Sequence, residues 1–354
     1  MPPSRQVIAA TIALLCCGMQ PAAAQATSEA TSPASSQGAE DFYRGKQITI
    51  VIGLGAGETY DLYARLLARH LPKHIPGEPL IIPSNKPGAG SLNAVNSLYN
   101  TAPKDGTVIG TGHRFVPLMP LLNLPGAQFD ALKFNYIGSM ARETGVCIAR
   151  KDTGFRSMED TRTREFMVGT TGAGAEMTTF NATMSKMLDA KLKVVRGYLT
   201  STEIDLAIER GELQGRCGVS FGSLRVNKPE WLANSYVTVL IQLGLEKHPD
   251  LADVPLLTEL VTNKDDRAAI ELMLAPNSMA RPFFAPPGVP PERIALLRKA
   301  FDAAMKDPAL IEDAAKQRLE LMPMTGAEME AVFARLHALP QPVLERARAL
   351  ANTK

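Results

Sequence analysis

The chain of 354 residues contains 38 lysines and arginines and 36 aspartates and glutamates, so its formal net charge is only +2. This balance provides no strong positive field for a nucleic acid, and no partner of that kind is expected. Hydrophobic residues make up 45% of the chain and charged residues 21%, a composition typical of globular proteins. The length favours two α/β domains over a single core.

The N-terminus is predicted to be a targeting segment. Arg5 is the only charged residue in residues 1–24, and an apolar core runs over Val7–Leu15 before a series of alanines that ends at Ala24. These features predict a secretory signal peptide that is cleaved near Ala24, and therefore a periplasmic protein. The small, polar residues 25–40 are expected to form a flexible leader.

The four cysteines fall into two pairs. Cys16 and Cys17 lie within the predicted signal peptide, and the large leucines before them argue against a lipid attachment site. Cys147 and Cys217 remain in the mature chain, where an even pair can form a disulfide in an oxidising compartment. Two separately buried cysteines are the favoured interpretation, because an unpaired cysteine is commonly a small core residue.

The stretch from Ile48 to Asp61 predicts a strand, a tight turn and the start of a helix. Apolar residues fill the strand, three glycines turn the chain, and leucines then recur at helical spacing. The first N–H groups of a helix lack partners within it, so this turn is predicted to bind an anion. Asp61 is expected either to accept hydrogen bonds from the ligand or to cap the helix. The expected ligand-binding residues of this segment are Gly55, Ala56, Gly57, Glu58, Thr59 and Asp61.

Strands and helices then alternate, which predicts a parallel sheet. Pro79–Pro83 and Thr107–Gly110 are its next strands, and ligands of such sheets bind at the carboxyl ends of the strands. His113 and Arg114 follow the second of these strands. They are expected either to be solvated loop residues or to line the crevice, where Arg114 would hold a second carboxylate with its forked guanidinium.

Two short apolar runs in Phe134–Ala149 predict a crossover into a second domain, and Met279–Ala285 predicts the return. Another series of strands and helices lies between them. Residues 308–354 are helical and amphipathic, and they are expected to pack on the first domain. The predicted domains are residues 41–142, residues 143–279 and, returning to the first domain, residues 280–354.

Several motifs together resemble a known family. In chain order they are VIGLGAGETYDLYARLLARHL, NKPGAGSLNA, APKDGTVIG, YIGSMARETGVCIARKD, VGTTGAGAEMTTF, DLAIERGELQG, HPDLADVPLLTEL and FFAPPGVPPERIALLRKAF. Each motif alone is weak. Their order and spacing resemble those of the periplasmic receptors of tripartite tricarboxylate transporters, the Bug family, over nearly all of the mature chain.

The resemblance implies an α/β, periplasmic-binding-protein-like (type II) fold, in which two crossover strands join two domains and the ligand lies in the cleft between them. The implied ligand is a small organic anion, a carboxylate held mostly by backbone N–H groups of one loop from each domain. The implied partners are the membrane subunits of a transporter. The protein is expected to be a monomer without a cofactor or a metal.

The resemblance also assigns residues to the two ligand-binding loops. Gly57 and Asp61 match the first loop, and Gly169, Gly172 and Gly174 match the loop of the second domain. The expected ligand-binding residues of the second domain are Thr170, Thr171, Gly172, Gly174, Tyr198 and Ser220.

Three positions depart from the family pattern. Glu58 stands where a second glycine is usual, Ser91 replaces the last glycine of a PGAGG run, and Thr178 stands where a histidine is common. Glu58 would bring a carboxylate next to a carboxylate pocket.

An enzyme is the main alternative. Residues 218–222 match G-x-S-x-G, the nucleophile elbow of α/β-hydrolases, which suggests a secreted serine hydrolase using Ser220. The elbow requires a helix directly after the serine, whereas SLRVNKP is expected to break the chain before a helix forms. A structural or ligand-lining turn is therefore favoured, and no catalytic residue is predicted. A sensory receptor would use the same binding site as a transport receptor, and the sequence does not separate the two.

Two further motifs are incomplete. His70 and His74 have the spacing of zinc ligands on a helix, but Pro72 between them ends that helix. GLGAG after the first strand also opens a dinucleotide fingerprint, but Tyr60 stands where the last small residue is needed. Neither a metal site nor a nucleotide cofactor is predicted.

Overall fold

The computed structural model describes residues 41–172 and 176–351, which form two mixed β-sheets flanked by helices. The predicted signal peptide and leader, residues 1–40, lie outside the described residues. Within the described ranges, no helix combines the length and the apolar character that crossing a bilayer requires.

The strands and helices alternate along most of the chain. The strands are β1 (Gln47–Ile52), β2 (Leu80–Asn85), β3 (Val108–Thr111), β4 (Asn135–Ser139), β5 (Gly145–Arg150), β6 (Phe166–Thr170), β7 (Leu192–Arg196), β8 (Gly215–Ser220), β9 (Val237–Leu243), β10 (Pro282–Ala285) and β11 (Met324–Thr325). The helices are α1 (Thr59–His70), α2 (Leu92–Asn100), α3 (Asp160–Thr163), α4 (Glu176–Met187), α5 (Ser201–Glu209), α6 (Phe221–Asn227), α7 (Pro229–Ala233), α8 (Leu257–Leu260), α9 (Lys264–Leu274), α10 (Pro291–Ala304), α11 (Pro308–Lys316), α12 (Gly326–His337) and α13 (Gln341–Ala351).

The first sheet has the strand order β11-β4-β10-β3-β1-β2. β1 pairs in parallel with both β2 and β3, whereas β10 runs antiparallel between β3 and β4. Every second residue of β1 is an isoleucine that is fully buried in one hydrophobic cluster with leucines of α1. Because the three parallel strands end at the same edge of the sheet, the loops that follow them lie side by side.

The second sheet has the strand order β7-β6-β8-β5-β9. β6 pairs in parallel with β7 and β8, and β5 pairs antiparallel with β8 and β9. The carboxyl ends of β6, β7 and β8 therefore also meet at one edge, and their loops form the second wall of the site described below.

The chain passes between the two sheets twice. β4 belongs to the first sheet, and β5, which begins six residues after β4 ends, belongs to the second. β10 then returns the chain to the first sheet. This is the pair of crossovers that the resemblance implies. The exact domain boundaries stay predictions.

The packing of the last helix differs from the prediction. α13 was expected on the first domain, but it packs against α4 and α9, which follow strands of the second sheet. Arg346 pairs with Asp266, and Lys186 donates a hydrogen bond to the carbonyl of Ala349. The apolar face of α13 enters the largest hydrophobic cluster, which contains residues of both halves, so amphipathicity alone did not identify its partner.

The interpretation of the cysteines is also wrong. Cys147 on β5 and Cys217 on β8 lie directly opposite each other in the antiparallel register, and they form a disulfide. Both side chains are fully buried, as expected. The sequence pattern places each cysteine on a strand, but it does not predict how β5 and β8 align. That alignment brings the two sulfurs together.

Candidate functional site

A cavity lies between the two halves, at the carboxyl ends of strands from both sheets. The loops that follow β1, β2 and β3 form one wall, and the loops that follow β6, β7 and β8 form the other. The cavity encloses about 70 Å³. Since one water needs roughly 10–15 Å³ of such space, this is room for about half a dozen water-sized groups, and the site suits a small solute.

Several predicted residues line the cavity, and others of its lining were missed. The predicted residues that line it are Glu58, Thr59, His113, Arg114, Thr171 and Ser220. The residues that sequence reasoning did not assign to the site are Gly53, Leu54, Tyr60, Pro87, Gly88, Gly90, Ser91, Met177, Leu199, Ser201, Arg216, Gly218, Val219, Ser223 and Asn227.

Asp61 supports the first loop and does not line the cavity. Its carboxylate accepts hydrogen bonds from the backbone N–H of Gly57 at 2.8 Å, from Arg65 at 2.8 Å and from the amide of Asn85 at 2.9 Å. These hydrogen bonds account for both carboxylate oxygens. Asp61 was expected to bind the ligand or to cap the helix, but Glu58 is the N-cap of α1 and the Asp61 carboxylate holds the loop before it. Burial raises the pKa of Asp61, but the hydrogen bonds from Arg65, Gly57 and Asn85 outweigh it and lower that pKa.

Gly55, Ala56 and Gly57 do not line the cavity either. Gly57 has φ +80°, and a Cβ built on it would meet no atom within 4 Å. The positive φ by itself favours glycine at this turn, and contact of Gly57 with a ligand stays a prediction. Gly55 contributes through its N–H group, which donates to the Glu58 carboxylate at 2.7 Å.

Some of the ligand-binding residues predicted in the second domain line the cavity, and others only hold the loops that form its wall. Thr170 is buried behind the cavity, where its hydroxyl bonds that of Thr178 at 2.6 Å. Thr178 stands on α4 at the position where the family commonly has a histidine, and its hydroxyl also donates to the carbonyl of Gly172 in the loop after β6. Tyr198 does not line the cavity, whereas its neighbour Leu199 does. Gly174 lies outside the described residues.

Ser91 occupies a position that normally suits glycine. Its φ is +78°, a conformation that is costly for a residue with a side chain. Its hydroxyl donates to the carbonyl of Gly53 at 3.1 Å and accepts the N–H of His113 at 3.1 Å. Ser91 therefore connects the loops after β1 and β3, and a glycine there would lose both hydrogen bonds.

Glu58 points into the cleft and is almost fully buried, with 6% of its surface exposed. One carboxylate oxygen accepts the N–H of Gly55 at 2.7 Å, and the other accepts the N–H of Ser201 at 2.8 Å. Ser201 is the first residue of α5, so its N–H is one of the helix donors without an intrahelical partner. This contact joins the first half of the protein to the second.

Arg114 lines the cavity, but its charge is already paired. Its Nη2 lies 2.7 Å from Oε2 of Glu176, and its Nε donates to Asn277 at 2.5 Å. Both partners in the ion pair are 1% exposed. Arg114 thus lies in the crevice and is not a solvated loop residue, and a residue far away in sequence balances its charge. That it holds a ligand carboxylate stays a prediction.

Arg216 is a second buried arginine of the cavity. It lies on β8, and its Nη1 is 3.0 Å from Asp205 and 3.2 Å from the carbonyl of Ser201. Its Nε has no hydrogen-bond partner among the described residues. A single cation within the otherwise apolar and small residues of strand 215–220 was the signal that could have identified it.

His113 is an uncharged member of the wall. Its ring stacks on Tyr60 at 5.7 Å between centroids. Burial, together with the nearby guanidiniums of Arg114 and Arg281, holds the pKa of His113 well below its ordinary value. The ring is therefore neutral near pH 7. Its Nδ1 accepts the N–H of Phe115 at 3.5 Å, so the proton lies on Nε2, which can donate.

Ser220 caps a helix, which corrects a second expectation. The helix α6 does form after the serine, and the Ser220 hydroxyl accepts the N–H of Ser223 at 3.0 Å as its N-cap. The Arg281 guanidinium lies 3.4 Å from the same hydroxyl. Among the described residues, no histidine contacts the Ser220 hydroxyl, so the activating base of a nucleophile elbow is not found there.

His70 and His74 are engaged in hydrogen bonds with carboxylates from another part of the chain. His70 contacts Asp313 at 2.9 Å, and His74 contacts Asp307 at 3.0 Å, which joins α1 and the turn after it to the region of α11. Their ring nitrogens thus have partners other than a metal.

Comparison with known proteins places these features in context. No family model matches the chain. A curated relative, the UPF0065 protein in gbd 5'region of Cupriavidus necator, is 26% identical over 310 residues, which cover 84% of this chain and 86% of the relative.

Two solved structures share the fold. The periplasmic binding protein BugD has a TM-score of 0.68 at 18% identity, over 87% of this chain and 99% of BugD. Rpa4515 of R. palustris, solved with adipate, has a TM-score of 0.66 at 18% identity, over 85% of this chain and 97% of that protein. These likenesses confirm the predicted two-domain, periplasmic-binding-protein-like (type II) fold. Together with the curated relative, they confirm that the chain resembles the Bug family of tripartite tricarboxylate receptors.

Proposed function

We propose that this chain is an extracytoplasmic solute-binding receptor that captures a small organic acid in the cavity between its two halves. The observation that carries the proposal is the convergence of loops from both sheets on one cavity with both polar and apolar lining. A solute in this cavity contacts both halves at once, so it stabilises the closed arrangement through contacts that an open arrangement lacks.

The lining supports an acidic solute of small size. It offers hydroxyls from Ser201 and Ser223, a neutral histidine, and two arginines whose remaining N–H groups can donate. Hydroxyl and guanidinium donors are the groups that hold carboxylates in proteins. Adipate in the related fold of Rpa4515 is consistent with a carboxylic acid as the solute class.

The setting of this receptor is proposed from the N-terminal sequence and from the family resemblance. Residues 1–24 direct export, and the mature protein begins near Gln25 in the periplasm. There it acts as a monomer and transfers its solute to the membrane subunits of a tripartite tricarboxylate-type transporter. Intact-mass analysis of periplasmic protein tests the first step, and retention of residues 1–24 would refute it.

We do not propose a catalytic role. Ser220 is committed to the N-terminus of α6, and the groups that contact its hydroxyl are a backbone N–H and a guanidinium. An active-site serine probe checks this assignment, since covalent labelling of Ser220 would favour the hydrolase alternative.

A thermal-shift screen of mono-, di- and tricarboxylates tests the function. A solute at about 100 times its Kd adds roughly 2.7 kcal/mol to the free energy of unfolding, so a true ligand gives a clear rise in Tm. The Thr171→Trp variant, which fills the cavity, is expected to lose this rise. Thr262→Trp is the matched control, because Thr262 is exposed and does not line the cavity. An equal response of both variants would place the binding elsewhere.

A further inference from the structure

The Glu58 carboxylate occupies a small anion site of its own within the cleft. One of its oxygens accepts a hydrogen bond from the N–H of Gly55, in the first half, and the other accepts one from the N–H of Ser201, in the second half. Two backbone donors that converge on one carboxylate are the arrangement expected to receive an anionic ligand. In this chain the anion is supplied by the protein.

The charge of Glu58 is not neutralised by a neighbouring cation. Among the described residues, no lysine, arginine or histidine lies within ion-pair distance of its carboxylate, which is 6% exposed. The two arginines of the cavity are paired with Glu176 and Asp205 instead. The unmatched charge of the cavity is therefore negative and located at Glu58.

A second carboxylate of a solute would meet this charge in a desolvated space. Like charges at close range in a buried site disfavour each other strongly, whereas an ammonium, amide or hydroxyl donates to a carboxylate favourably. Arg216 lines the same cavity and has a guanidinium whose Nε is without a partner among the described residues, so it is the cation that would face the acidic end of the solute.

We propose that Glu58 is the specificity-determining residue of the cleft: it fills the anion site between Gly55 and Ser201, and so selects solutes that present a hydrogen-bond donor there instead of a second carboxylate. This inference rests on the proposed receptor function and deepens it. The solute class is a small monocarboxylic acid with an ammonium, amide or hydroxyl group at its other end.

The site can be emptied without breaking the loop. Glu58 is the N-cap of α1 with φ −70° and ψ 158°, and its side chain does not cap the helix. Glycine is accepted at N-caps, so Glu58→Gly removes the carboxylate and leaves both N–H donors free. Formate, the smallest carboxylate, is the probe.

We expect about 100 mM formate, compared with the same concentration of chloride, to raise the Tm of Glu58→Gly by about 2 °C or more. Wild type and the exposed control Glu246→Gly are expected to show no such rise. An equal rise in wild type, or none in Glu58→Gly, would overturn the proposal. Succinate as a second probe is expected to stabilise Glu58→Gly more than wild type, and the reverse order would also overturn it.

A second substitution removes one of the donors. Ser201 is the first residue of α5, where proline is well tolerated, and Thr200 before it is extended as proline requires. The double variant Glu58→Gly/Ser201→Pro lacks the Ser201 N–H and is expected to lose the formate response. Glu58→Gly/Ser201→Ala keeps the N–H and is expected to retain it.

The receptor function and the role of Glu58 can fail separately. If Glu58→Gly ignores formate while wild type still binds an acid found in the screen, the role of Glu58 is refuted and the receptor function stands. The same response to formate in the proline and alanine double variants would show that the Ser201 N–H is not part of the anion site.

Discussion

Arg281 and Glu143 form a buried ion pair that joins the two segments of chain crossing between the halves of the protein. Glu143 lies between β4 and β5, and Arg281 directly precedes β10. The Arg281 guanidinium also donates to Ser223 at 3.2 Å and lies 4.4 Å from the ring of Tyr60. One fully buried cation thus contacts both crossovers, a helix of the second half and the cavity wall.

Breaking this pair on one side should destabilise the protein strongly. Glu143→Gln leaves the Arg281 charge buried without its partner, and we expect a loss of about 3–5 kcal/mol in the free energy of unfolding by urea denaturation. The control is Glu312→Gln in the exposed pair with Lys316, where the expected loss is at most about 1 kcal/mol. Equal losses in both variants would mean that the buried pair contributes no more than a surface contact.

The Asp313 carboxylate predicts an acid dependence of stability. Its hydrogen bond with His70, supported by Arg69, lowers the pKa of Asp313 to about 2. Because the folded pKa lies below the ordinary value of 3.8, this contribution is complete above about pH 4 and is lost as the pH falls towards 2. We expect Asp313→Asn to lower stability by up to about 1 kcal/mol at pH 6, and the gap from wild type to narrow below pH 4. A gap independent of pH, or one matched by the exposed control Asp253→Asn, would contradict this origin.

The disulfide predicts a thiol count and a stability change. Unfolded mature protein that has not been reduced should show no free thiol, and reduction should release those of Cys147 and Cys217. The double variant Cys147→Ala/Cys217→Ala is expected to lose about 2–4 kcal/mol, because the link closes a long loop in the unfolded chain. Two free thiols before reduction would refute the pairing.

Substitution of Gly57 is expected to lower the stability of the fold through the backbone and to have little effect on ligand affinity. Its positive φ should make Gly57→Val costly by about 1–2 kcal/mol, and Gly57→Asn less so, since asparagine enters this conformation more readily. Affinity for a ligand should change little in the asparagine variant, because the added atoms face open space. A large loss of affinity at unchanged stability would instead place Gly57 against the ligand.

The sequence was sufficient for the parts of the fold that depend on local pattern. The strand, glycine turn and helix around Gly53–Asp61 follow from apolar periodicity and turn chemistry, and so do the two crossovers. Parallel strands then fix which loops meet, so a cavity at the carboxyl ends could be expected.

The chemistry of the cavity depends on contacts between distant residues. Arg114 lies 62 positions before Glu176, and Arg281 lies 138 positions after Glu143, so no local pattern predicts either pair. The direction of the Glu58 side chain depends on the neighbouring Ser201 N–H, which belongs to the other half of the protein. The segment after Ser220 shows the same limit. Its sequence predicted a break in the chain, yet the helix α6 forms there, because tertiary context can override local propensity.

The most direct test of solute capture between the two halves is a calorimetric titration with the acid that gives the largest thermal shift. Wild type and Thr262→Trp are expected to bind it with the same Kd, because Thr262 is exposed and does not line the cavity. Thr171→Trp, whose ring fills the cavity, is expected to show no measurable heat of binding while retaining a cooperative thermal transition. A Kd for Thr171→Trp within about threefold of the wild-type value, a difference of only ~0.7 kcal/mol, would contradict binding in this cavity.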